Sequence, residues 1–233
     1  KQLQEVTVLD CDTYRRDRIV AGAMPATVRN ELRCLQSLFV EARRRNLVER
    51  DPVAGVAFGR IDNARKRLLS GDERDRLLLE LSKRDDFLRP LFVLLYCTGM
   101  RLGDAIRMEW AAVDFDHGII RFQQRKTGKW VFPPMHHALK SELERWRPIC
   151  GSSAWVFPSP VRSDAPMSKK YVANPWRELL AAAKVENLWR HDLRRYVVTM
   201  LRAAGVGDGV IGSITGHESV SMIQRYDSPQ LEQ

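Results

Sequence analysis

The sequence has no long hydrophobic run, no paired cysteine motif and no internal repeat. Its longest nearly uncharged apolar stretch, residues 91–100, is about half the roughly 20 residues that a membrane span requires. The four cysteines stand alone, without a CxxC pair or a nearby histidine, and no basic segment followed by an apolar one opens the chain. These absences argue against a membrane protein, a zinc protein and a secreted disulfide protein, and they favour the cytoplasm.

The composition is that of an ordinary globular protein with a basic balance. The 233 residues are 44% hydrophobic and 29% charged, which suits one large or two modest domains. The net charge is +9, and residues 1–67 hold 14 basic against 9 acidic side chains. This excess favours a polyanionic partner, because each neutralised phosphate releases counterions, although a merely soluble basic protein has the same balance. Since the chain begins at Lys1 rather than Met, we expect a trimmed fragment.

The first part of the chain predicts a helix with one buried stripe. Between Thr27 and Asn46 the apolar residues recur every three or four positions, and Thr27 is suited to cap the helix. Its solvent side carries four arginines, Arg29, Arg33, Arg43 and Arg44. This basic face either contacts DNA or is an ordinary solvated surface. Residues 61–67 are polar, basic and without periodicity, so we interpret them as a linker. The predicted domains are 1–66, which binds DNA, and 68–233, which is catalytic.

The second domain is predicted to be mainly α with a small antiparallel β-sheet. Ser70 and Glu73 form a capping-box pattern ahead of a helix that turns Leu77, Leu78 and Leu81 inward. Pro90 lies in the first turn of an apolar helix that ends near Gly99. Further helices are predicted over 137–146, 168–184, 191–204, 208–215 and 219–227.

One β-hairpin is the clearest strand feature. The alternation over 118–124 and 129–132 predicts two strands, and Arg125-Lys126-Thr127-Gly128 is the turn between them. Residues 155–157 are the second candidate strand segment. The tryptophans at 110, 130, 155 and 176 are predicted to pack in the core, although one exposed near the hairpin would be placed to touch DNA. Asp114 and Asp116 suit either a turn before the strand or a metal site, and the turn is the commoner arrangement.

The most informative pattern is a set of basic and aromatic side chains in a fixed order. His191 and Arg194, three residues apart on one helix, are placed to reach a single phosphate, although a surface His–Arg pair has the same spacing. The complete series is Arg101, Lys126, His191, Arg194, His217 and Tyr226. This order resembles the active-site series of the tyrosine recombinases, the phage integrase family. The segments TGMRLGDAIRMEW, HDLRRYVVTMLRAAG and ITGHESVSMIQRYDS resemble the boxes of that family, so the resemblance covers roughly residues 70–227.

The resemblance implies a role for each residue of the series. Arg101 and Arg194 bind the scissile phosphate, and His217 is a third donor to it. His191 titrates near neutrality and accepts the proton of Tyr226, which attacks the phosphorus. Two further residues complete the implied site. Lys126 is the general acid for the departing 5′ oxygen, with Lys129 in the same turn as the alternative, and Asp104 orients Arg101 without reacting.

The resemblance also implies the partners and excludes a cofactor. It predicts a site-specific DNA recombinase that needs neither metal nor ATP and works through a 3′-phosphotyrosyl link. Four copies are expected to act on two DNA duplexes within the nucleoid, with an excisionase or a host DNA-bending protein as accessory partners. Three alternatives stay open: a type IB topoisomerase, a catalytically idle DNA-binding protein of the same fold, and a metal-dependent nuclease that uses Asp114 and Asp116.

Overall fold

The structure is a computed structural model that describes residues 2–59 and 67–224. The chain divides into two compact units, Lys1–Arg65 and Lys66–Gln233. The predicted linker over 61–67 lies outside the described residues except for Arg67. The Arg67 guanidinium pairs with Glu73 at 2.6 Å, so this residue is anchored to the first helix of the second unit.

The described part of the first unit contains two α-helices, α1 (Val8–Val20) and α2 (Pro25–Arg44), and the short 3-10 helices Leu3–Glu5 and Pro52–Gly55. The predicted stripe of α2 is buried, and Val28, Leu32 and Phe39 pack in a core that includes Cys11 of α1. Helix α1 has no clear apolar stripe, so the periodicity did not predict it. Its signal is the capping box between Thr7 and Asp10.

The start of α2 lies three residues before the predicted one. Thr27 was expected to cap the helix, but the N-cap is Met24 and Pro25 occupies the first helical position. Proline suits that position because its backbone φ is already helical and the N–H group that it lacks has no intrahelical acceptor there. Thr27 therefore lies inside the first turn.

The second unit is built on helices, as predicted. Their bounds are α3 Gly71–Ser82, α4 Leu88–Thr98, α5 Leu102–Ala105, α6 His137–Ile149, α7 Lys169–Ala182, α8 Arg190–Ala203, α9 Asp208–Thr215 and α10 Val220–Gln224. Helix α4 is central, and it packs against α6 and α8 with Leu88, Leu91 and Leu95 buried. It ends where Gly99 adopts a left-handed conformation, with φ of 62°. This turn directs the chain towards Arg101.

The capping box at the start of α3 is confirmed. The Ser70 side chain accepts from the Glu73 backbone, and the Glu73 carboxylate accepts from the Ser70 backbone. Leu77 and Leu81 are buried, but the prediction for Leu78 is wrong, because its side chain is 38% exposed. Residues one position apart on a helix point about 100° apart, so Leu77 and Leu78 do not share a face.

The β structure consists of two short antiparallel pairs in the described residues. Strand β1 (Val113–Asp114) pairs with β2 (Ile119–Ile120), and β3 (Phe122–Gln123) pairs with β4 (Trp130–Val131). The predicted hairpin is thus confirmed, but the predicted single strand over 118–124 is divided at Arg121, and its first half pairs with β1. Residues 155–157 contribute an isolated bridge between Trp155 and Glu109 rather than a strand.

The aspartates before β2 form a turn, which confirms the commoner of the two interpretations. The Asp114 carboxylate accepts from the backbone N–H of His117 at 2.9 Å and pairs with Arg121 at 2.7 Å. No cluster of three or more potential metal ligands occurs in the described part of the chain. None of the helices over 2–59 and 67–224 has the length and hydropathy of a membrane span.

The tryptophans divide between core and surface. Trp176 is buried at 3% exposure and donates to the Leu188 carbonyl at 3.1 Å. Trp130 is 61% exposed on the hairpin, where it stacks on Phe132, so the core prediction is wrong for this residue. Its neighbour Val131 is buried, because successive side chains of a strand point to opposite faces.

Candidate active site

Arg194 is the buried centre of the site. Its side chain is among the largest in the protein that are almost completely inaccessible to water, and it projects from α8. The Nη1 atom donates to the carbonyl of Gly99 at 2.9 Å and to the carbonyl of Thr215, while Nε donates to Nε2 of His217 at 3.2 Å. These bonds join the ends of α4 and α9 to α8. A guanidinium held on two sides by fixed acceptors is preorganised, which is what anion binding requires.

Arg101 reaches the same place from the N-terminus of α5. It is the N-cap residue, with an extended backbone two positions after the left-handed Gly99. The Nη1 atom of Arg101 is buried, and it has no hydrogen-bond acceptor among the residues that the structure describes. A buried donor without an acceptor costs on the order of 1–3 kcal/mol, so this atom marks a place where an anion would gain free energy on binding.

His217 follows α9, whose C-cap Gly216 is left-handed at φ of 72°. Since Nε2 accepts from Arg194, the ring proton lies on Nδ1, which is 2.7 Å from the Thr215 hydroxyl. That hydroxyl donates to the Ile211 carbonyl at 2.6 Å. Both ring nitrogens therefore have partners within the protein.

The electrostatics of the cluster keep His217 neutral. Burial lowers the pKa of His217 to about 3, and the positive charges of Arg194 and Arg101 add to the effect. The role that the resemblance implies for this residue, a third donor to the phosphate, stays a prediction. In this structure the ring accepts from Arg194, because burial and the neighbouring guanidinium charges both disfavour a charged imidazole.

His191 lies in the first turn of α8 with more than a third of its surface exposed. Its pKa is lowered first by burial of part of the ring and next by the charge of Arg194, with a smaller contribution from Arg101. The shared influence of these charges places His191, Arg194, His217 and Arg101 in one electrostatic cluster. The sequence predicted a ring that titrates near neutrality, and the direction of the shift favours the neutral form, which is able to accept a proton.

Lys126 lies at the tip of the β3–β4 hairpin and is exposed, as is Lys129 at the other end of the turn. The structure does not bring either ammonium into the cluster through a hydrogen bond within the described part of the chain. Between them and the cluster lies Gln124, which is completely buried and donates to the Thr215 carbonyl at 3.2 Å. The hairpin is therefore attached to the cluster at its base, and its lysines extend from that attachment.

Asp104 is placed differently from the expectation that it orients Arg101. Its Oδ1 atom accepts from the backbone N–H of Arg125 at 3.3 Å, and no ion pair joins it to Arg101 over the described residues. The spacing of three residues therefore does not by itself bring these two side chains together, because the Asp104 carboxylate is directed to the hairpin. In this structure Asp104 links the start of α5 to the hairpin turn.

Tyr226, the predicted nucleophile, lies outside the described residues, as does the end of the predicted helix over 219–227. The described part of that helix is α10, which buries Ile223 in a small cluster with Val198 of α8 and Ile211 of α9. The segment that leads towards the tyrosine is thus packed directly on the helices that carry Arg194 and precede His217.

The arginines of α2 do not form one uniform basic face. Arg29 lies over the Phe58 ring at 5.2 Å and donates to the Gly59 carbonyl, and Arg44 pairs with Glu41 at 2.7 Å. Arg33 and Arg43 are exposed. The stem of Arg29 thus covers apolar surface of its own unit, which leaves Arg33 and Arg43 as the members of the predicted set best placed for an outside partner.

Sequence reasoning missed two residues of the site, Gln124 and Thr215. Gln124 is two residues before Lys126, and the sequence predicts only that it ends a strand. Its contact with Thr215 joins positions 91 residues apart, and no local pattern indicates such a contact. The one sequence signal was Gly216, because a glycine after a helix indicates a left-handed turn that brings backbone and side chains close together.

Comparisons with known proteins identify the family and the fold of the chain. The sequence profile described as the Phage integrase family matches residues 67–232. The shufflon-specific DNA recombinase of Escherichia coli is 27% identical over 97% of this chain and 59% of its own length. The chain spans less than two thirds of the length of the curated relatives that it matches first.

Solved structures show the same fold. A lambda integrase fragment, 75–356, in a dimer bound to a COC′ core site, superposes with a TM-score of 0.82 and 22% identity over 100% of this chain and 83% of the other. A lambda integrase tetramer bound to a Holliday junction gives a TM-score of 0.80 and 22% identity over 99% of this chain and 67% of the other. The predicted fold, mainly α with a small antiparallel sheet, is confirmed. Because the family profile matches more than two thirds of the sequence, the chain belongs to the phage integrase, or tyrosine recombinase, family.

Proposed function

We propose that this chain cleaves and rejoins double-stranded DNA at specific sites through a covalent 3′-phosphotyrosyl intermediate. The observation that carries the proposal is the pair of guanidiniums formed by buried Arg194 and half-buried Arg101. Arg101 and Arg194 act electrostatically on the same imidazole of His217, and Arg101 holds a buried donor with no acceptor in the described part of the chain. A phosphodiester supplies the acceptors that this cluster calls for.

The arginines stabilise the transition state of phosphoryl transfer. Negative charge grows on the nonbridging oxygens as phosphorus becomes five-coordinate, and two planar guanidiniums offer paired N–H groups to those oxygens. His217 holds the Nε–H side of Arg194, which orients the remaining N–H groups of this arginine. Neutral imidazoles add no repulsion to the two cations.

The reacting groups would be Tyr226, His191 and a hairpin lysine. The tyrosine oxygen bonds to phosphorus, its proton passes to neutral His191, and the bond to the 5′ oxygen breaks with its electron pair on that oxygen. The departing oxygen takes a proton from Lys126, with Lys129 as the alternative donor. A phenol has a pKa near 10, so it is mostly protonated at neutral pH. The nearby cations favour its ionised form, which is the stronger nucleophile. The phosphotyrosyl link conserves the energy of the broken bond, so a 5′ hydroxyl reverses the reaction without ATP, metal or another cofactor.

The first unit would bind the DNA beside the cleavage site. Its basic balance over 1–67 and the exposed Arg33 and Arg43 of α2 support this role, since phosphate contacts by exposed cations supply most of the nonspecific affinity for DNA. The proposed domain roles are therefore DNA binding for 1–66 and catalysis for 68–233. Trp130 on the exposed hairpin is a further candidate for contact with DNA.

The assembly that we propose is four copies on two duplexes, with strand exchange through a Holliday junction. The lambda integrase tetramer, whose structure is bound to such a junction, supports the scheme. An excisionase or a host DNA-bending protein would regulate it in the nucleoid of the cytoplasm. We infer these accessory partners from the family alone, because no contact within the described residues indicates them.

Trapping on a nicked suicide duplex tests the proposed function. Cleavage releases a short strand that diffuses away, so the protein stays attached to the 3′ end and migrates as a larger species on a denaturing gel. We expect this species for the unaltered chain with EDTA and without nucleotide. Cleavage that EDTA abolishes, with no attached protein, would favour the metal-dependent nuclease instead.

Plasmid relaxation separates the recombinase from its other rivals. A type IB topoisomerase would efficiently relax supercoiled plasmid that carries no recombination site. A catalytically idle DNA-binding protein would bind DNA but give no covalent species on any duplex. We expect weak relaxation of plasmid without a site and a covalent species on site-bearing DNA.

A further inference from the structure

Gln124 is a buried amide whose hydrogen bonds run in two directions. It follows β3, and its side chain is completely inaccessible to water. The Nε2 atom donates to the Thr215 carbonyl at 3.2 Å, at the end of α9. The Oε1 atom accepts from the Thr127 hydroxyl at 2.9 Å, in the hairpin turn next to Lys126. One side chain therefore joins the turn to the helix end.

The Thr215 carbonyl is shared between Gln124 and the phosphate-binding arginine. It accepts from Nη1 of Arg194 as well as from Nε2 of Gln124. The Thr215 hydroxyl contacts His217. Thr215 thus contacts both the hairpin and the cationic cluster. We therefore expect a change in its contact with Gln124 to shift the hairpin relative to Arg194.

The space for Gln124 depends on a glycine. A Cβ atom on Gly216 would lie 1.9 Å from Nε2 of Gln124 and 2.4 Å from its Cδ atom, far inside van der Waals contact. The amide therefore lies flat against the backbone between α9 and His217. This close approach and the left-handed φ of Gly216 both require glycine at this position.

The hairpin itself is short, and most of its turn is exposed. Strands β3 and β4 are two residues each, and Arg125, Lys126, Gly128 and Lys129 are exposed. Gln124 also closes the turn through its own backbone, which bonds to Lys129 and to Gly128 at 2.8 Å in each case. An amide anchored on both faces removes freedom from a short hairpin that its strands alone would leave loosely held.

We propose that Gln124 is a positioning residue that fixes the Lys126 hairpin to the Arg194 cluster, so that the lysine protonates the departing 5′ oxygen in register with the bound phosphate. The inference rests on the proposed function, because Lys126 is the acid only in that reaction. Gln124 touches neither DNA nor the reacting atoms in this scheme. Its effect passes through Thr127 to the turn and through Thr215 to the arginine.

The test compares two DNA substrates with the variant Gln124→Met. One substrate has a normal 5′ bridging oxygen and the other a 5′ bridging sulfur, which departs as a thiolate and needs no proton. Methionine matches glutamine in length but makes neither hydrogen bond. We expect cleavage of the oxygen substrate to fall by about tenfold to a hundredfold, the scale of a misplaced general acid, while cleavage of the sulfur substrate falls less than threefold.

A neighbouring glutamine provides the matched control. Gln123 is exposed on β3 and donates to the Gly128 carbonyl at 2.8 Å, so it supports the hairpin without reaching Thr215. Gln123→Met should cleave both substrates at nearly the unaltered rate. Equal selectivity for sulfur in both variants would overturn the proposal, since the link to Thr215 would then be irrelevant.

Two outcomes separate this inference from the function beneath it. If the unaltered chain forms no covalent product on either substrate, the proposed function fails. If it forms product and Gln124→Met loses both substrates equally, the function stands and the positioning role of Gln124 is wrong. Should Gln124→Met unfold, Thr127→Val cuts the same link from the exposed turn, and the same preference for sulfur is expected; its absence would overturn the inference.

Discussion

Arg194 donates from Nε to the Nε2 atom of His217 at 3.2 Å, so the histidine is an acceptor at the centre of the cationic cluster. An imidazole accepts only when that nitrogen is unprotonated. The proton on Nδ1 faces the Thr215 hydroxyl, which in turn donates to the Ile211 carbonyl. This chain of bonds ties the orientation of the buried arginine to the protonation state of one ring.

Acidification should destabilise the protein through His217. Its pKa is about 3 in the folded protein against 6.5 for the free group, so below pH 6.5 the unfolded chain takes up a proton that the folded chain refuses. The contribution of His217 to the free energy of unfolding is therefore fully present above pH 6.5 and is lost as the pH falls towards 3. This group accounts for about 2 kcal/mol of loss between pH 7.5 and pH 5.

Urea unfolding of the unaltered chain and of His217→Gln at both pH values measures this contribution. The amide does not titrate, so the variant should lose about 2 kcal/mol less on acidification than the unaltered chain. His191 and the carboxylates titrate in both proteins and cancel in the comparison. Equal losses would mean that His217 is not a buried neutral acceptor.

Arg194→Lys should abolish most DNA cleavage while DNA binding persists. A lysine supplies one point charge and cannot contact Gly99, Thr215 and a phosphate together. We expect single-turnover cleavage to fall by about a hundredfold to a thousandfold, the cost of losing an oriented transition-state donor. Arg162→Lys, in an exposed loop, is the matched control and should cleave normally. Near-normal cleavage by Arg194→Lys would remove this arginine from the phosphate site.

Gly216→Ala should be more destabilising than Gly205→Ala. Both glycines have a left-handed backbone, with φ of 72° and 77°, so alanine at either position carries a conformational cost of about 1–2 kcal/mol. A Cβ on Gly205 meets nothing within 4 Å, whereas one on Gly216 meets Gln124. Thermal unfolding should therefore show the larger decrease for Gly216→Ala. Equal decreases would mean that Gln124 does not pack against this backbone.

Lys126→Ala should be rescued by the sulfur-bridged substrate, and Lys129→Ala should not need that rescue. The two lysines flank the same turn and both are exposed. A leaving group that needs no proton makes only the general acid dispensable, so it distinguishes the two. Cleavage of each variant is measured on oxygen and sulfur substrates in parallel. Selective rescue of Lys129→Ala, with none for Lys126→Ala, would transfer the acid role to Lys129.

The parts of the structure that local patterns determine were predictable from the sequence. The capping box at Ser70 needs only residues within one turn, and the apolar stripe of α2 needs only helical periodicity. The order Arg101, His191, Arg194 and His217 pointed to one cluster because it matches a known series of boxes. The electrostatic coupling among these side chains agrees with that expectation.

The features that the sequence does not predict depend on contacts between distant segments. Gln124 meets Thr215 across 91 positions, and the division of the predicted strand depends on pairing between Val113 and Ile120. The protonation of His217 depends on burial beside Arg194, which residue spacing does not reveal. Polar residues with such roles are recognised only when the packing around them is known.

The central claim is that the oxygen of Tyr226 becomes bonded to the DNA phosphate. The direct measurement is mass spectrometry of the peptide that stays attached to a nicked suicide duplex, for the unaltered chain and for Tyr226→Phe. We predict a nucleotide mass on the peptide that contains Tyr226 and no attached peptide for the variant, which should still bind DNA. An adduct on another residue, or one that persists in Tyr226→Phe, would contradict the account.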